Sequence, residues 1–311
     1  MITTVTLNVS VDKAYKIKGS VRPGTVSRVE ECTNTAGGKG LNVARIVDLC
    51  GEEVQAAGFA GGFNGGYVRK MLDEDGIQHQ FTEVKSETRS CINILAEDGT
   101  STEYLEPGAP VTEEEWQRFL QDFAWMTENS SVITISGSAP QGLEAECYKT
   151  LIEEVKRQGK QVILDTSGVY LEEGLKAVPT MIKPNQEELE ALLGTRIQNR
   201  QELIKAGKQL KNRGIPFVVI SAGADGALLI CEDGIYHGRP PKLEAVNPVG
   251  CGDSMVGAFA VAMSRSKTPE EALAFAVAVS AANAMNEGTG RLQSEDLFHI
   301  LGNVSVERIQ D

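Results

Sequence analysis

Apolar and polar positions along this chain switch repeatedly between two periods. Short, nearly continuous apolar runs at 5–9, 54–59, 131–136, 161–165, 181–183, 217–221 and 227–231 read as strands, several of them buried on both faces. Between them the apolar spacing lengthens to that of amphipathic helices, at 40–49, 67–75, 113–126, 144–158, 186–193, 201–213, 254–264 and 269–286. Many of these helices open on Ser, Thr or Asp and stop at glycine, as at Gly51, Gly76, Gly159 and Gly214. Strand–helix alternation predicts an α/β fold with a doubly wound, mostly parallel sheet sandwiched by helices. Ligands of such sheets sit beyond the carboxyl ends of the strands.

Two regions break the alternation. Residues 15–35 carry β-type residues with Gly and Pro punctuation. In 89–106, two β-type runs flank Glu97-Asp98-Gly99-Thr100, and Asp-Gly between such runs is a hairpin signal. Together they predict a small antiparallel sheet, from about 13–35 and 89–106, set on a single domain of 1–311. So small a sheet is marginal alone, so it must cover a substrate or another subunit.

Composition narrows the partners. Among 311 residues the net charge is −13, which argues against nucleic acid and against an anionic membrane surface. Any site for an anionic ligand must then be locally basic, so single Lys and Arg residues in Gly-rich loops stand out. The six cysteines are scattered without metal-like spacing, and only three histidines are present, so a zinc site is not expected. The N-terminus lacks the charged region of a signal peptide, and no apolar run approaches the roughly 18 residues of a membrane span. A cytoplasmic location is the expectation.

The most informative run is Asn247-Pro248-Val249-Gly250-Cys251-Gly252-Asp253-Ser254. It reads as a tight, open loop leading into a helix, with free backbone N–H groups, a positive dipole end and a carboxylate on one spot. Such helix starts bind phosphate, and a carboxylate beside phosphate suggests a proton to collect. The plain alternative is ordinary capping. Ala36-Gly37-Gly38-Lys39-Gly40-Leu41-Asn42 is a second Gly-rich loop entering a helix; it is not a Walker A loop, and no G-x-G-x-x-G is present. Lys183-Pro184-Asn185-Gln186-Glu187-Glu188 closes a strand and opens a helix, either as a capping box or with Asn185 and Glu188 holding Mg²⁺ through water. Ser221, Gly223 and Gly226 follow another strand, as a hairpin turn or a surface for a planar or phosphorylated ligand. Asp12 and Arg89 are lone charges near predicted strand ends.

These runs, in this order and at this spacing, resemble the ribokinase-like sugar kinases of the PfkB family over essentially the whole chain. The resemblance rests on Gly37-Gly38-Lys39-Gly40-x-Asn42-x-Ala44, Lys183-Pro184-Asn185-x-x-Glu188, Ser221-x-Gly223-x-x-Gly226 and Gly250-x-Gly252-Asp253-Ser254. Within the family the opening Thr4–Asp12, Thr88-Arg89 and Ser136-Gly137-Ser138 are similar to the branch acting on phosphorylated ketohexoses. The runs 88–95 and 102–106 look closer to tagatose-6-phosphate kinases than to 1-phosphofructokinases. Val9 stands where that branch has Pro, and Cys251 where it has Ala or Ser.

The resemblance implies ATP, Mg²⁺ and a phosphorylated ketohexose. It implies Asp253 as general base and the N–H groups of Gly250, Cys251, Gly252 and Asp253 as anion hole. Lys183, Asn185, Ser221, Gly223, Gly226 and Gly252 would serve ATP, with Asn185 and Glu188 organising the metal. Asp12, Gly37, Gly38, Lys39, Asn42 and Ser138 would hold the sugar, and Arg89 its phosphate, with Lys39 or Arg28 assisting. The extra β region would be a lid that pairs across a homodimer. At a helix start, the Asp253 carboxyl is expected below the ordinary carboxylate range, a weak base tolerated by a loose transition state. The rival readings are fructose 1-phosphate as acceptor, and a sugar-binding regulator without catalysis.

Overall fold

Neighbouring apolar residues in the buried strands are sent to opposite faces. Val132, Ile163 and Val219 join one core, while Ile133, Val162 and Val218 join the other. Strands with apolar side chains on both faces need cover on both, which dictates three layers.

The computed structural model describes residues 1–310. In chain order the elements are β1 (Ile2–Thr6), β2 (Ser10–Ile17), β3 (Val29–Gly37), α1 (Lys39–Leu49), β4 (Val54–Ala60), α2 (Gly62–Glu74), β5 (Gln78–Glu83), β6 (Arg89–Ala96), β7 (Ser101–Leu105), α3 (Glu113–Glu128), β8 (Val132–Ser136), α4 (Glu146–Arg157) and β9 (Gln161–Asp165). They continue with α5 (Gly168–Lys176), β10 (Met181–Ile182), α6 (Gln186–Leu193), α7 (Arg200–Lys211), β11 (Phe217–Ser221), β12 (Ala227–Cys231), β13 (Gly234–Arg239), α8 (Cys251–Ser264), α9 (Pro269–Ala284), α10 (Ser294–Leu301) and β14 (Ser305–Ile309).

Ten strands form the main sheet in the order β14-β13-β12-β11-β10-β9-β8-β1-β4-β5. Pairings from β11 through β10, β9, β8, β1 and β4 to β5 are parallel, and the three at the other end are antiparallel. One face is covered by α1, α2, α8, α9 and α10, the other by α3 to α7. On the second face Phe59 packs on Phe119 with ring centroids 4.8 Å apart, and Phe123 continues the stack. Among the described residues no helix is long and apolar enough to cross a membrane.

The parallel α/β sheet is as the alternation predicts, with differences at particular elements. The first strand is Ile2–Thr6, earlier than expected. The strands β5, β13 and β14 and the helices α5 and α10 have no counterpart in the sequence reading. β5 and β14 lie at the sheet edges, where solvent permits polar residues and the apolar run disappears. Helix α2 starts at Gly62, through a Gly-rich stretch that propensity disfavours. The carboxylate of Glu87 accepts from the N–H groups of Phe63 (3.2 Å) and Asn64 (2.6 Å), so a distant side chain supplies the cap.

The expected small sheet is present, in the order β3-β2-β6-β7. β2–β3 and β6–β7 pair antiparallel, while the central β2–β6 pair is parallel. Ser10 stands opposite Gly37 on one side and Arg89 on the other. The small sheet thus begins where β1 ends. The loops after β1, β8, β9, β10 and β11 gather at the same edge of the main sheet.

Burial separates two aromatic residues of α3 sharply. Phe119 is fully buried and Trp125 is 54% exposed. Phe119→Ala should lower stability by about 3–5 kcal/mol in urea unfolding, whereas Trp125→Ala should stay within about 0.5 kcal/mol of wild type.

Candidate active site

The loops at that edge enclose a cavity of about 1390 Å³. Pockets for a single small ligand run to about 300–1,000 Å³, so this one has room for two. Asp12, Gly38, Lys39, Asn42, Arg89, Ser138, Lys183, Asn185, Glu188, Ser221, Gly223, Gly226, Gly250, Cys251, Gly252 and Asp253 all line it. Gly37 lies behind the wall. Arg28 is elsewhere, on a separate surface cleft between β2 and β3.

Gly37 explains the position of Asp12. A Cβ at Gly37 would fall 2.0 Å from the Asp12 Cγ, so only glycine lets that carboxyl lie against the strand. Ser10 Oγ donates to Asp12 Oδ1 at 2.6 Å. Burial still raises the Asp12 pKa, against the pull of Ser10 and Arg89.

Beneath the cavity sits Asp165, the last residue of β9 and 1% exposed. Lys183 Nζ is 3.2 Å from its Oδ1, close enough for an ion pair but out of line for a hydrogen bond, and Lys39 Nζ donates to its Oδ2 at 3.5 Å. Burial drives the Asp165 pKa up, but Lys183 and Lys39 together more than reverse it and hold it below the ordinary range. Asp165 in turn raises the pKa of Lys39. The sequence reading missed Asp165. Its only signal was an acid closing an otherwise apolar strand, Gln161-Val162-Ile163-Leu164-Asp165.

Asp253 is the third residue of α8, after the N-cap Gly250. Gly250 takes a φ of 80°, and a Cβ there would meet Thr289 Cγ2 at 2.4 Å. The N–H of Cys251 donates to the Pro248 carbonyl at 3.3 Å, whereas the N–H groups of Gly250, Gly252 and Asp253 are left open at this helix start. The Cys251 thiol accepts from Asn283 Nδ2 at 3.5 Å, and burial raises its pKa, which leaves it a poor nucleophile.

One expectation about Asp253 is overturned. Its pKa is pushed up to about 6, chiefly by burial, with the nearby Asp165 acting in the same direction against Lys39 and Asn42. A helix start stabilises a charge by about 0.3–1 kcal/mol, under one pKa unit, whereas full burial can move a carboxyl by about 3–5 units. Burial therefore wins. Asn42 Nδ2 donates to Asp253 Oδ2 at 2.8 Å, so one end of the Asn42 amide is already committed to the acid.

The Asn185–Glu188 pair forms a complete capping box on α6. Asn185 Oδ1 accepts from the Glu188 N–H at 2.8 Å, and Glu188 Oε2 accepts from the Asn185 N–H at 2.9 Å. Both residues still line the cavity, and Glu188 Oε1 is outside the box. Among the described residues no group of three or more His, Cys, Asp and Glu side chains could hold a metal ion. Ser221 bridges to Asn185 as an isolated β-bridge, its N–H donating to the Pro184 carbonyl at 3.1 Å. The turn Gly223–Gly226 joins the antiparallel strands β11 and β12, so it is both a hairpin and a cavity wall.

Arg89 works partly as a staple. Nη1 donates to the Glu106 carbonyl at 2.8 Å and Nη2 to the Asn8 carbonyl at 3.0 Å. Asn8 Nδ2 reaches Ser138 Oγ at 3.3 Å, which links the loops after β1 and β8.

Known proteins resemble this chain in sequence and fold. The sequence pattern of the pfkB family carbohydrate kinases matches residues 5–296. A tagatose-6-phosphate kinase of Staphylococcus epidermidis is 38% identical over 309 residues, covering 98% of this chain and 99% of that protein. Phosphofructokinase-2 from Escherichia coli, in a crystal structure with potassium, is 30% identical with a TM-score of 0.92, covering 97% of this chain and 98% of that one. A ribokinase of Arabidopsis thaliana, complexed with ribose and ATP, shares the fold at 21% identity and a TM-score of 0.82, covering 96% of this chain and 98% of that one. With a match along nearly the whole length, the chain belongs to the pfkB family of carbohydrate kinases.

Proposed function

We propose that this kinase moves the γ-phosphoryl group of ATP onto a hydroxyl of a ketohexose phosphate, with tagatose 6-phosphate as acceptor and tagatose 1,6-bisphosphate as product. The observation that carries the reading is one cavity holding a buried carboxylate, Asp253, on a helix start whose Gly252 and Asp253 N–H groups are open, with Lys39 and Lys183 close by. Positively polarised donors there suit the charge on a transferring phosphoryl group, and Asp253 is poised to take the acceptor's proton. A base near pH 6 can do so at neutral pH and is stronger than an ordinary carboxylate. The tagatose-6-phosphate kinase relative directs the choice of acceptor.

On the nucleotide side, Ser221, Gly223 and Gly226 offer a wall of backbone for ATP, with Lys183 beneath the phosphates. Asn185 and Glu188 fit a Mg²⁺ ion that keeps most of its waters, since one carboxylate oxygen is free and, among the described residues, no all-protein cage exists. When bound, that ion supplies charge neutralisation at the phosphates. On the sugar side, Asp12, Gly38, Lys39, Asn42 and Ser138 face the acceptor. Arg89 keeps one further N–H on each of Nη1 and Nη2 for the sugar's phosphate, its Nε being buried. The small sheet acts as a lid over that half of the cavity. Fructose 1-phosphate, the rival acceptor from the sequence, and fructose 6-phosphate, which a phosphofructokinase-2 29% identical to this chain holds in its crystal structure, are the other acceptors to weigh. Measuring ADP release with Mg-ATP across tagatose 6-phosphate, fructose 1-phosphate, fructose 6-phosphate and free fructose tests the reading. The highest kcat/KM is expected for tagatose 6-phosphate, and no turnover with any of the four would refute it.

Asp253→Asn should lower kcat by about 10²–10⁴-fold while calorimetry shows near wild-type binding of ATP and sugar phosphate. The same variant should be more stable. Folding raises the Asp253 pKa to about 6, so its contribution favours the fold at low pH and is lost as pH rises through that value. The urea midpoint of Asp253→Asn should therefore exceed that of wild type at pH 8 and match it at pH 4. Arg89→Ala should raise KM for the sugar phosphate by about 10- to 100-fold, the worth of a charge-assisted hydrogen bond, and leave KM for ATP unchanged.

A further inference from the structure

Three side chains outside the roles above, together with Asn42, form one line of hydrogen bonds that ends on Asp253. Arg45 of α1 is only 3% exposed. Its Nε donates to Asp75 Oδ2 at 3.0 Å, its Nη2 to the Ala36 carbonyl, and its Nη1 to Asn42 Oδ1 at 3.0 Å. Asp75, the C-cap of α2, accepts from Arg291 Nη2 through its other oxygen at 2.6 Å. Asn42 Nδ2 then donates to Asp253 Oδ2 at 2.8 Å.

The chemistry of these groups fixes the direction of the line. A guanidinium only donates, so the end of the Asn42 amide beside Arg45 must be the oxygen. The nitrogen end is thereby turned to Asp253. Arg45 and Asn42 are three residues apart on α1 and so share a face of the helix. All three donating atoms of Arg45 are matched, and its buried charge is answered by Asp75, which Arg291 holds in place from beyond α9. We propose that Arg45, fixed by Asp75 and Arg291, is a positioning residue that locks the Asn42 amide so that it donates to one oxygen of Asp253 and leaves the other for the acceptor's proton. This rests on reading Asp253 as the base. The other charged groups facing Asp253 are Lys39 of α1, Asp165 at the end of β9 and Lys183 after β10, and none of them touches Asn42 in the way Arg45 does.

The test compares Arg45→Met, Arg45→Lys, Asp75→Asn and Asp253→Asn, each checked for folding by circular dichroism and thermal melting, through pH profiles of kcat and KM. With the lock gone, Asn42 no longer favours the ionised acid. In Arg45→Met the acid limb of kcat should move up by about one pH unit, the worth of a hydrogen bond to a charged group. kcat at pH 7 should fall by up to about 100-fold through misplacement of the base, with KM for ATP unchanged. Arg45→Lys, which can still donate to Asn42, should recover part of both losses. A folded Arg45→Met enzyme with wild-type kcat and an unmoved acid limb overturns the inference. Should Arg45→Met not fold, Asp75→Asn decides by the same two readouts. If Asp253→Asn keeps wild-type turnover, the base reading fails and this inference with it. If Asp253→Asn is inactive while the Arg45 and Asp75 variants behave as wild type, only the inference fails.

Discussion

Everything at this site hangs on a buried carboxylate shared by two lysines. Asp165 closes a central strand, 1% exposed, and would be intolerable there without Lys39 and Lys183. The three charges tie α1 to β9 and to the residue after β10, so they fix the floor of the cavity mechanically. They also set its electrostatics. Two cations against Asp165 and Asp253 make a cluster close to neutral. Had the lysines stood alone, they would have held Asp253 lower. Asp165 cancels much of their field, and burial is left to push Asp253 up to about 6.

The layered α/β fold was legible because its strands are buried on both faces and its helices carry clear stops. The elements that escaped reading are those whose residues answer to something other than burial. β5 and β14 lie at edges and carry polar side chains, and α2 begins on glycines because Glu87, two dozen residues away, caps it. At the site, short-range motifs put sixteen residues on one cavity wall, since a glycine beside a cation or acid is visible in one dimension. Asp165 and Arg45 were not visible. Asp165 has its meaning only through partners 18 and 126 positions distant, and Arg45 is held by Asp75, 30 positions distant. The basicity of Asp253 was misjudged for the same reason: a helix start can be read from sequence, but the layers that bury it cannot.

The capping box at Asn185 and Glu188 leaves room for the chemical role proposed for them. The box engages one oxygen of Glu188 and fixes the side chain's direction, which leaves the second oxygen aimed by the same bond that starts the helix. A residue doing two tasks in this way is pre-oriented at no further conformational cost. Asn42 is a parallel case, with its two amide ends assigned to different neighbours.

Ser10, Gly37 and Arg89 stand side by side across the small sheet, and each is the residue at which its strand meets the main body. Three chain crossings therefore fall on one line, reinforced by the Arg89 bonds to Asn8 and Glu106. A plate attached along such an edge resists sliding and shear there. The parallel pairing of β2 with β6 makes such an edge, because it lets both strands set out from the same side in the same direction. The small sheet is thus joined to the rest along a straight line of crossings and braced beside it by α2, which packs against β2 and β3 and whose Tyr67 hydroxyl accepts from Asn34 Nδ2.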